Sequence, residues 1–177
     1  FPKFVTSDTF WKYMIVNRSR YIDQLVRSKG NGLIKIITGL RRSGKSFLLK
    51  KLFRQHLLDE GVSEDHIIII DMESRKNKDF KNPDYLLDWV EKEMKDDVMY
   101  YIIIDEVQDC DELQFELIRQ LKRPEVGLFA VGDPNQVIYS WRGSMFNIFY
   151  KFRELYHAEE LSLPVNYRSS QTILAVS

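Results

Sequence analysis

The chain has 177 residues, 44% hydrophobic and 29% charged, with 26 basic side chains against 26 acidic ones. That length suffices for one domain with a proper core, and the balanced charge gives no global attraction to nucleic acid, so any such binding needs a local patch. The single cysteine, Cys110, excludes an internal disulfide and suits a reducing cytosol; no apolar run approaches the ~18 residues of a membrane span, and the first residues do not resemble a secretion signal.

Phe1 to Thr9 reads as a surface entry segment. From about Phe10 to Ser28, Ile15, Tyr21, Ile22, Leu25 and Val26 fall at helical spacing. Gly30-Asn31-Gly32 turns the chain into a first strand, Ile34–Thr38. A helix follows from about Lys45, with Phe47, Leu48, Leu49, Leu52, Phe53, Leu57 and Leu58 as its apolar residues and Gly61 as its stop. His66–Asp71 is a second strand, apolar without alternation and so buried on both faces. Glu73 to Lys81 is charged and reads as a loop. Asn82-Pro83 is a cap with proline at the first helical position, opening a helix to about Lys95. Tyr100–Ile104 is a third buried strand. A helix from Cys110 or Asp111 to about Lys122 places Leu113, Leu117, Ile118 and Leu121 on one face. Leu128–Val131 and Glu160–Leu163 are the fourth and fifth strands, with a helix from Ser144 to about His157 between them. Ser169 or Ser170 caps a last helix.

Strands alternating with helices imply right-handed crossovers and a parallel sheet covered on both sides. Ligands of such sheets bind beyond the carboxyl ends of the strands. The chemically loaded stretches all lie there: Gly39 to Ser46, Asp71 to Glu73, Asp105-Glu106, Gly132 to Gln136 and Asn166 to Arg168.

Gly39-Leu40-Arg41-Arg42-Ser43-Gly44-Lys45-Ser46 matches G-x-x-x-x-G-K-[ST], the phosphate-binding loop. Glycines at its ends let the backbone curl around an anion, and the amides of Gly44, Lys45 and Ser46 meet the positive end of a helix dipole. In this pattern Lys45 reaches the β- and γ-phosphates and the Ser46 hydroxyl ligates Mg²⁺. The strand before the loop and the amphipathic run after it distinguish the match from a chance turn. Asp105 at a strand tip is the second candidate Mg²⁺ ligand, and Glu106 is placed to activate water. Gln136, after the fourth strand, is a candidate γ-phosphate sensor. Tyr139, Trp141 and Arg142 supply aromatics beside a guanidinium, which suits stacking on unpaired bases; Trp141 serves equally well as a prop packing its loop onto the core.

Two resemblances overlie this reading. GLFAVGDPNQVIYSWRGS resembles motif III of UvrD/Rep-type superfamily 1 DNA helicases, LSLPVNYRSSQTIL resembles their motif IV, and Asp105-Glu106-Val107-Gln108-Asp109 with the helix after it resembles their Walker B region. Together they cover about residues 105–177. The earlier stretches RSRYIDQL, IITGLRRSGKSFLLKKLF, HIIIIDMES and YYIIIDEVQ resemble prokaryotic AAA-type ATPases with a G-x-R-R-x-G-K-[ST] loop. The chain therefore reads as composite, with a natural fusion, an engineered recombinant and a divergent helicase all open.

The resemblance implies one P-loop NTPase domain over residues 1–177, of RecA/AAA-like α/β fold, with a three-layer sandwich around a five-stranded parallel sheet in the order 5-1-4-3-2. It implies ATP and Mg²⁺ as cofactors, single-stranded DNA as a partner, no membrane association and a cytoplasmic setting. Gly39, Arg42, Ser43, Gly44, Lys45, Ser46 and Phe47 would line the nucleotide. Tyr167 would stack on adenine, while Gln136 and Arg168 would contact the γ-phosphate and Tyr139 and Trp141 the DNA. Gln24 is a further candidate for reading adenine. Phe47 stands where these helicases often have an arginine. The second RecA-like domain of such helicases, with its arginine, has no counterpart in these residues, which implies slow turnover and no unwinding by them alone. The rival readings are a non-catalytic P-loop scaffold and an AAA-type ATPase with no helicase role.

Overall fold

In the computed structural model the strands are β1 (Lys35–Gly39), β2 (Ile67–Asp71), β3 (Tyr100–Asp105), β4 (Val126–Val131) and β5 (Glu159–Leu163). They join into one parallel sheet in the order β2-β3-β4-β1-β5, the first four apolar in their interiors and β5 mostly polar. The structure describes residues 18–39, 43–133 and 147–164. The order is the one expected, and the strand boundaries move by one or two residues, as helix and strand ends commonly do.

Each central strand is buried on both faces because its side chains alternate between two cores. Ile36 of β1, Ile102 and Ile104 of β3, and Leu128 and Ala130 of β4 face one side. There they meet Leu86 and Val90 of α4 (Pro83–Glu93), Phe115 and Ile118 of α5 (Glu112–Gln120), and Ile148 and Phe152 of α6 (Ile148–Tyr156). Ile37, Tyr101, Ile103, Phe129 and Val131 face the other side, against Leu25 of α1 (Ser19–Ser28) and Leu48, Leu49, Phe53 and Leu57. A fully buried aliphatic side chain contributes about 1.5–3 kcal/mol, so these two layers carry most of the fold. Edge strand β5 exposes Glu159, Glu160 and Ser162, charge and polarity that discourage further strand pairing.

The helical run after the phosphate-binding motif is not uniform. It begins as α2 (Lys45–Phe47), widens into a π-helical stretch (Leu48–Phe53) and returns to α3 (Arg54–Asp59). Phe53 closes the wide turn against the sheet, with its ring 4.8 Å from that of Phe129 and edge-on to Tyr101. π-Turns inside helices often accompany functional sites.

Two expectations are corrected. Residues 75–81 are not an open loop but tight 3₁₀ turns meeting at Asn77. Asp71 organises them: its Oδ1 accepts the amides of Glu73 and Ser74, and its carbonyl accepts Asn77 Nδ2. Leu113 does not face the core; it is 65% exposed, and Gln114 and Phe115 are buried instead. The reason is a reciprocal cap. Asp111 Oδ1 accepts the Gln114 amide while Gln114 Oε1 accepts the Asp111 amide, and Gln114 Nε2 donates to the Phe80 carbonyl. Gln24 lines a cleft with Lys35 and Glu159, at the starts of β1 and β5. The Asn82 cap forms as expected, accepting from the amides of Asp84 and Tyr85. The parts of the expected helices before residue 18, around Ser144 and after Ser169 lie outside the described residues.

Candidate functional site at the carboxyl ends of β1, β3 and β4

Parallel pairing puts the carboxyl ends of β1, β3 and β4 side by side, and the candidate residues follow them. β1 ends at Gly39 (φ +148°), where a Cβ would lie 2.4 Å from the Leu163 carbonyl oxygen of β5. Gly44 has φ +84°, the left-handed region that glycine tolerates. The chain then enters α2 with Lys45 and Ser46. Residues 40–42, Arg42 among them, lie outside the described residues.

An arginine that sequence reasoning passed over holds this loop. Arg18, 2% exposed just before α1, donates from Nη1 to the Gly44 carbonyl at 2.5 Å and from Nη2 to the Ser43 carbonyl at 2.6 Å. A Cβ at position 44 would lie 2.1 Å from its Nη2. The guanidinium also stands 5.7 Å from the ring centroid of Phe47, a cation–π arrangement. Arg18 belongs to the RSRYIDQL stretch, so the only sequence signal was its place in that resemblance. Nearby, Ser43 Oγ is buried with no hydrogen-bond partner among the described residues. An orphaned hydroxyl in such a loop fits an external acceptor.

Lys45 Nζ donates to the Gly39 carbonyl at 2.7 Å. Burial lowers its pKa, while the charges of Asp133, Glu106 and Asp105 act the other way. The ammonium therefore sits within reach of the acidic groups on the tips of β3 and β4. Ser46 Oγ donates to Asp105 Oδ1 at 3.0 Å. These are two hard oxygens next to one another, and a hard dication that keeps most of its own water suits such a pair. Among the described residues no cluster of three or more acidic, histidine or cysteine side chains offers a more complete metal site.

Glu106 has φ +57° and ψ +44°, a left-handed conformation uncommon for a residue with a side chain. Two contacts hold it there. Its amide donates to Asp105 Oδ1 at 3.2 Å, and its Oε2 accepts from Gln108 Nε2. Burial raises the Glu106 carboxyl above the ordinary range; the Gln108 hydrogen bond opposes this, Asp105 and Glu73 add to it, and Lys45 opposes it. Buried Gln108 also accepts the Asp133 amide on Oε1 at 3.1 Å, joining the tips of β3 and β4. Gly132 leaves room for that bridge, since a Cβ there would lie 2.3 Å from Gln108 Oε1.

Lys50, not singled out by its sequence context, ion-pairs with Asp105 Oδ2 at 2.5 Å and Asp71 Oδ2 at 2.7 Å. Of the expected site residues, the structure brings together Gly39, Ser43, Gly44, Lys45, Ser46, Phe47, Asp105 and Glu106. Gln136, Tyr139, Trp141, Arg142, Tyr167 and Arg168 lie outside the described residues. Cys110 is buried in the core beside α5.

Comparison with known proteins adds to this geometry. Residues 80–157 match the UvrD/REP helicase N-terminal domain. The match begins upstream of Asp105, so α4 and β3 lie inside it. A probable DNA helicase II homolog of Mycoplasma capricolum is 46% identical over 78 residues, 44% of this chain and 11% of that protein. A probable DNA helicase of Mycoplasma pneumoniae is 42% identical over 80 residues, 45% of this chain and 15% of that protein. The matched stretch is thus a small part of each relative. Among solved structures, the Candida albicans Pif1 helicase superposes with a TM-score of 0.54 at 15% identity, over 89% of this chain and 42% of that one. A chain from Drosophila ORC bound to GC-rich DNA and Cdc6 gives 0.55 at 15% identity, over 93% and 64%. Those structures support the fold: a P-loop NTPase sheet with the order seen here. Among the described residues no helix is long and apolar enough to cross a membrane.

Proposed function

We propose that this chain binds ATP with Mg²⁺ and hydrolyses it slowly, as the nucleotide-binding core of a helicase-like protein. The observation that carries the reading is the convergence of Lys45 and Ser46 with Asp105 and Glu106 at one end of the sheet, with Ser46 Oγ 3.0 Å from Asp105 Oδ1. The similarity of residues 80–157 to the UvrD/REP helicase N-terminal domain supports the helicase-like part.

In this reading the phosphates lie along the loop from Gly39 to Ser46, and Lys45 exchanges the Gly39 carbonyl for phosphate oxygens. Arg18 keeps the Ser43 and Gly44 carbonyls turned away from the anion. Ser46 and Asp105 would hold Mg²⁺, which when bound neutralises phosphate charge. Glu106 orients the attacking water and accepts its proton; a carboxyl raised by burial is suited to that exchange. Gln136 and Arg168 sense the γ-phosphate, and Arg42, Phe47 and Tyr167 complete the nucleotide contacts. Tyr139, Trp141 and Arg142 meet single-stranded DNA by stacking. The composite ancestry, AAA-like before about residue 105 and helicase-like after it, and the action of residues 1–177 as one domain belong to the same proposal.

Titration of the protein with ATP, with and without Mg²⁺, tests it. Saturable binding that strengthens with Mg²⁺ and disappears in Lys45→Ala is expected. ATP affinity unchanged by Lys45→Ala rejects the site.

A further inference from the structure

The ion pairs of Lys50 form a feature that the proposed chemistry leaves unused. Asp71 and Asp105 are register partners at the tips of neighbouring parallel strands, β2 and β3. Such strands lie about 4.8 Å apart, and like charges set directly opposite one another repel. The Asp105 side chain is only 4% exposed, so water does little to relieve that repulsion. The relief comes from Lys50, one helical turn beyond Ser46 in the π-helical stretch. Its ammonium takes Oδ2 of both carboxylates, at 2.5 Å from Asp105 and 2.7 Å from Asp71.

The two oxygens of Asp105 are thereby given different tasks. Oδ2 is held by Lys50, and Oδ1 is left toward Ser46 Oγ and the Glu106 amide. Asp71 is fixed in turn, because its Oδ1 accepts the Glu73 and Ser74 amides. The clamp therefore rests on a rigid turn and not on a loose side chain.

We propose that Lys50 is a positioning residue: it pins Asp105 so that Oδ1 alone faces the metal side of the site, and its ammonium fills the gap between two strand-tip carboxylates that would otherwise collect a divalent cation. This rests on the reading of Ser46 and Asp105 as metal-holding residues. It adds a reason for a lysine at this place and a limit on how many cations the site takes. A carboxylate free to rotate holds a hard cation less well than one held in place, because ordering it then draws on the binding energy.

The test uses the whole chain and two probes. Mn²⁺ uptake without nucleotide is followed by electron paramagnetic resonance, and the Mg²⁺ concentration for half-maximal ATP binding is measured separately. The wild type is expected to take up no Mn²⁺ at tens of micromolar without nucleotide, whereas Lys50→Met takes up one ion. Lys50→Met is also expected to need about tenfold more Mg²⁺ for ATP binding, with ATP affinity in the absence of Mg²⁺ unchanged. A merely structural role would not separate those two affinities. The charge-balanced double variant Lys50→Met with Asp71→Asn covers the case in which the single variant fails to fold. It is expected to show the raised Mg²⁺ requirement without the Mn²⁺ uptake. A Mg²⁺ requirement equal to that of the wild type in either variant overturns the proposal, as does a folded Lys50→Met protein that takes up no Mn²⁺. Failure of the wild type to bind ATP at all would instead defeat the nucleotide reading, and the nucleotide-free Mn²⁺ measurement distinguishes the two.

Discussion

The side-chain amide of Gln108 donates to the carboxylate of Glu106, tying the residue proposed to activate water to a buried bridge between two strand tips. The other end of that amide accepts the Asp133 N–H at 3.1 Å. Gln108→Ala removes both bonds. It leaves a buried amide at Asp133 without its acceptor, a loss of about 1–3 kcal/mol. Urea denaturation should register that loss, and ATP turnover should fall further than ATP affinity, because Glu106 loses the donor that places it. Turnover and stability both at wild-type levels would remove Gln108 from the account.

Arg18 and Gly44 form a second coupled pair. Arg18→Met withdraws two charge-assisted hydrogen bonds from loop carbonyls, at 2.5 and 2.6 Å, and should cost about 1.5–3 kcal/mol while weakening ATP binding. Gly44→Ala meets the same guanidinium and a left-handed backbone at once, and should cost about 1–3 kcal/mol. Because the two changes share a contact, the double variant should lose less than their sum. Additive losses in thermal melting would show that the contact does not matter.

The raised pKa of Glu106 makes a stability prediction whose sign is fixed. A carboxyl whose pKa is higher in the folded than in the unfolded chain favours folding while protonated, at pH below the unfolded value. That contribution is lost as pH rises through the folded value. Above that range the buried charge opposes folding. Glu106→Gln keeps an acceptor for Gln108 but carries no charge, so it should raise the melting temperature at pH 7 and not at pH 4. An equal shift at both pH values, or none, would contradict the assigned cause.

How far the sequence reached can be argued from α5 and β3. Tyr100–Ile104 was readable because a strand buried on both faces needs an unbroken apolar run, and the sheet order followed from a family resemblance. The orientation of α5 was not, because helical spacing alone cannot weigh Leu113 against Gln114. The deciding interaction is the reciprocal Asp111–Gln114 cap with the Phe80 carbonyl, which joins residues distant in sequence. Arg18, Lys50 and Gln108 escaped for the same reason: all three lie inside the stretches that carry the resemblances, but each acts by reaching a partner on another element. The convergence of Lys45 and Ser46 with Asp105 and Glu106 was legible because both motifs follow strands whose carboxyl ends lie together in a parallel sheet.

Leu113→Ala should change stability by less than about 0.5 kcal/mol, as an exposed substitution does, whereas Ile118→Ala on the same helix should cost about 2–5 kcal/mol. Chemical denaturation of the two variants compares them directly. A large loss at Leu113 would restore the face expected from spacing.

The most direct measurement is a crystal structure with Mg²⁺ and a non-hydrolysable ATP analogue. The expected result has the phosphates along Gly39 to Ser46, Lys45 Nζ moved from the Gly39 carbonyl onto phosphate oxygen, and the metal between Ser46 and Asp105, opposite Glu106. A nucleotide bound away from this end of the sheet, with Lys45 still on Gly39, would contradict it.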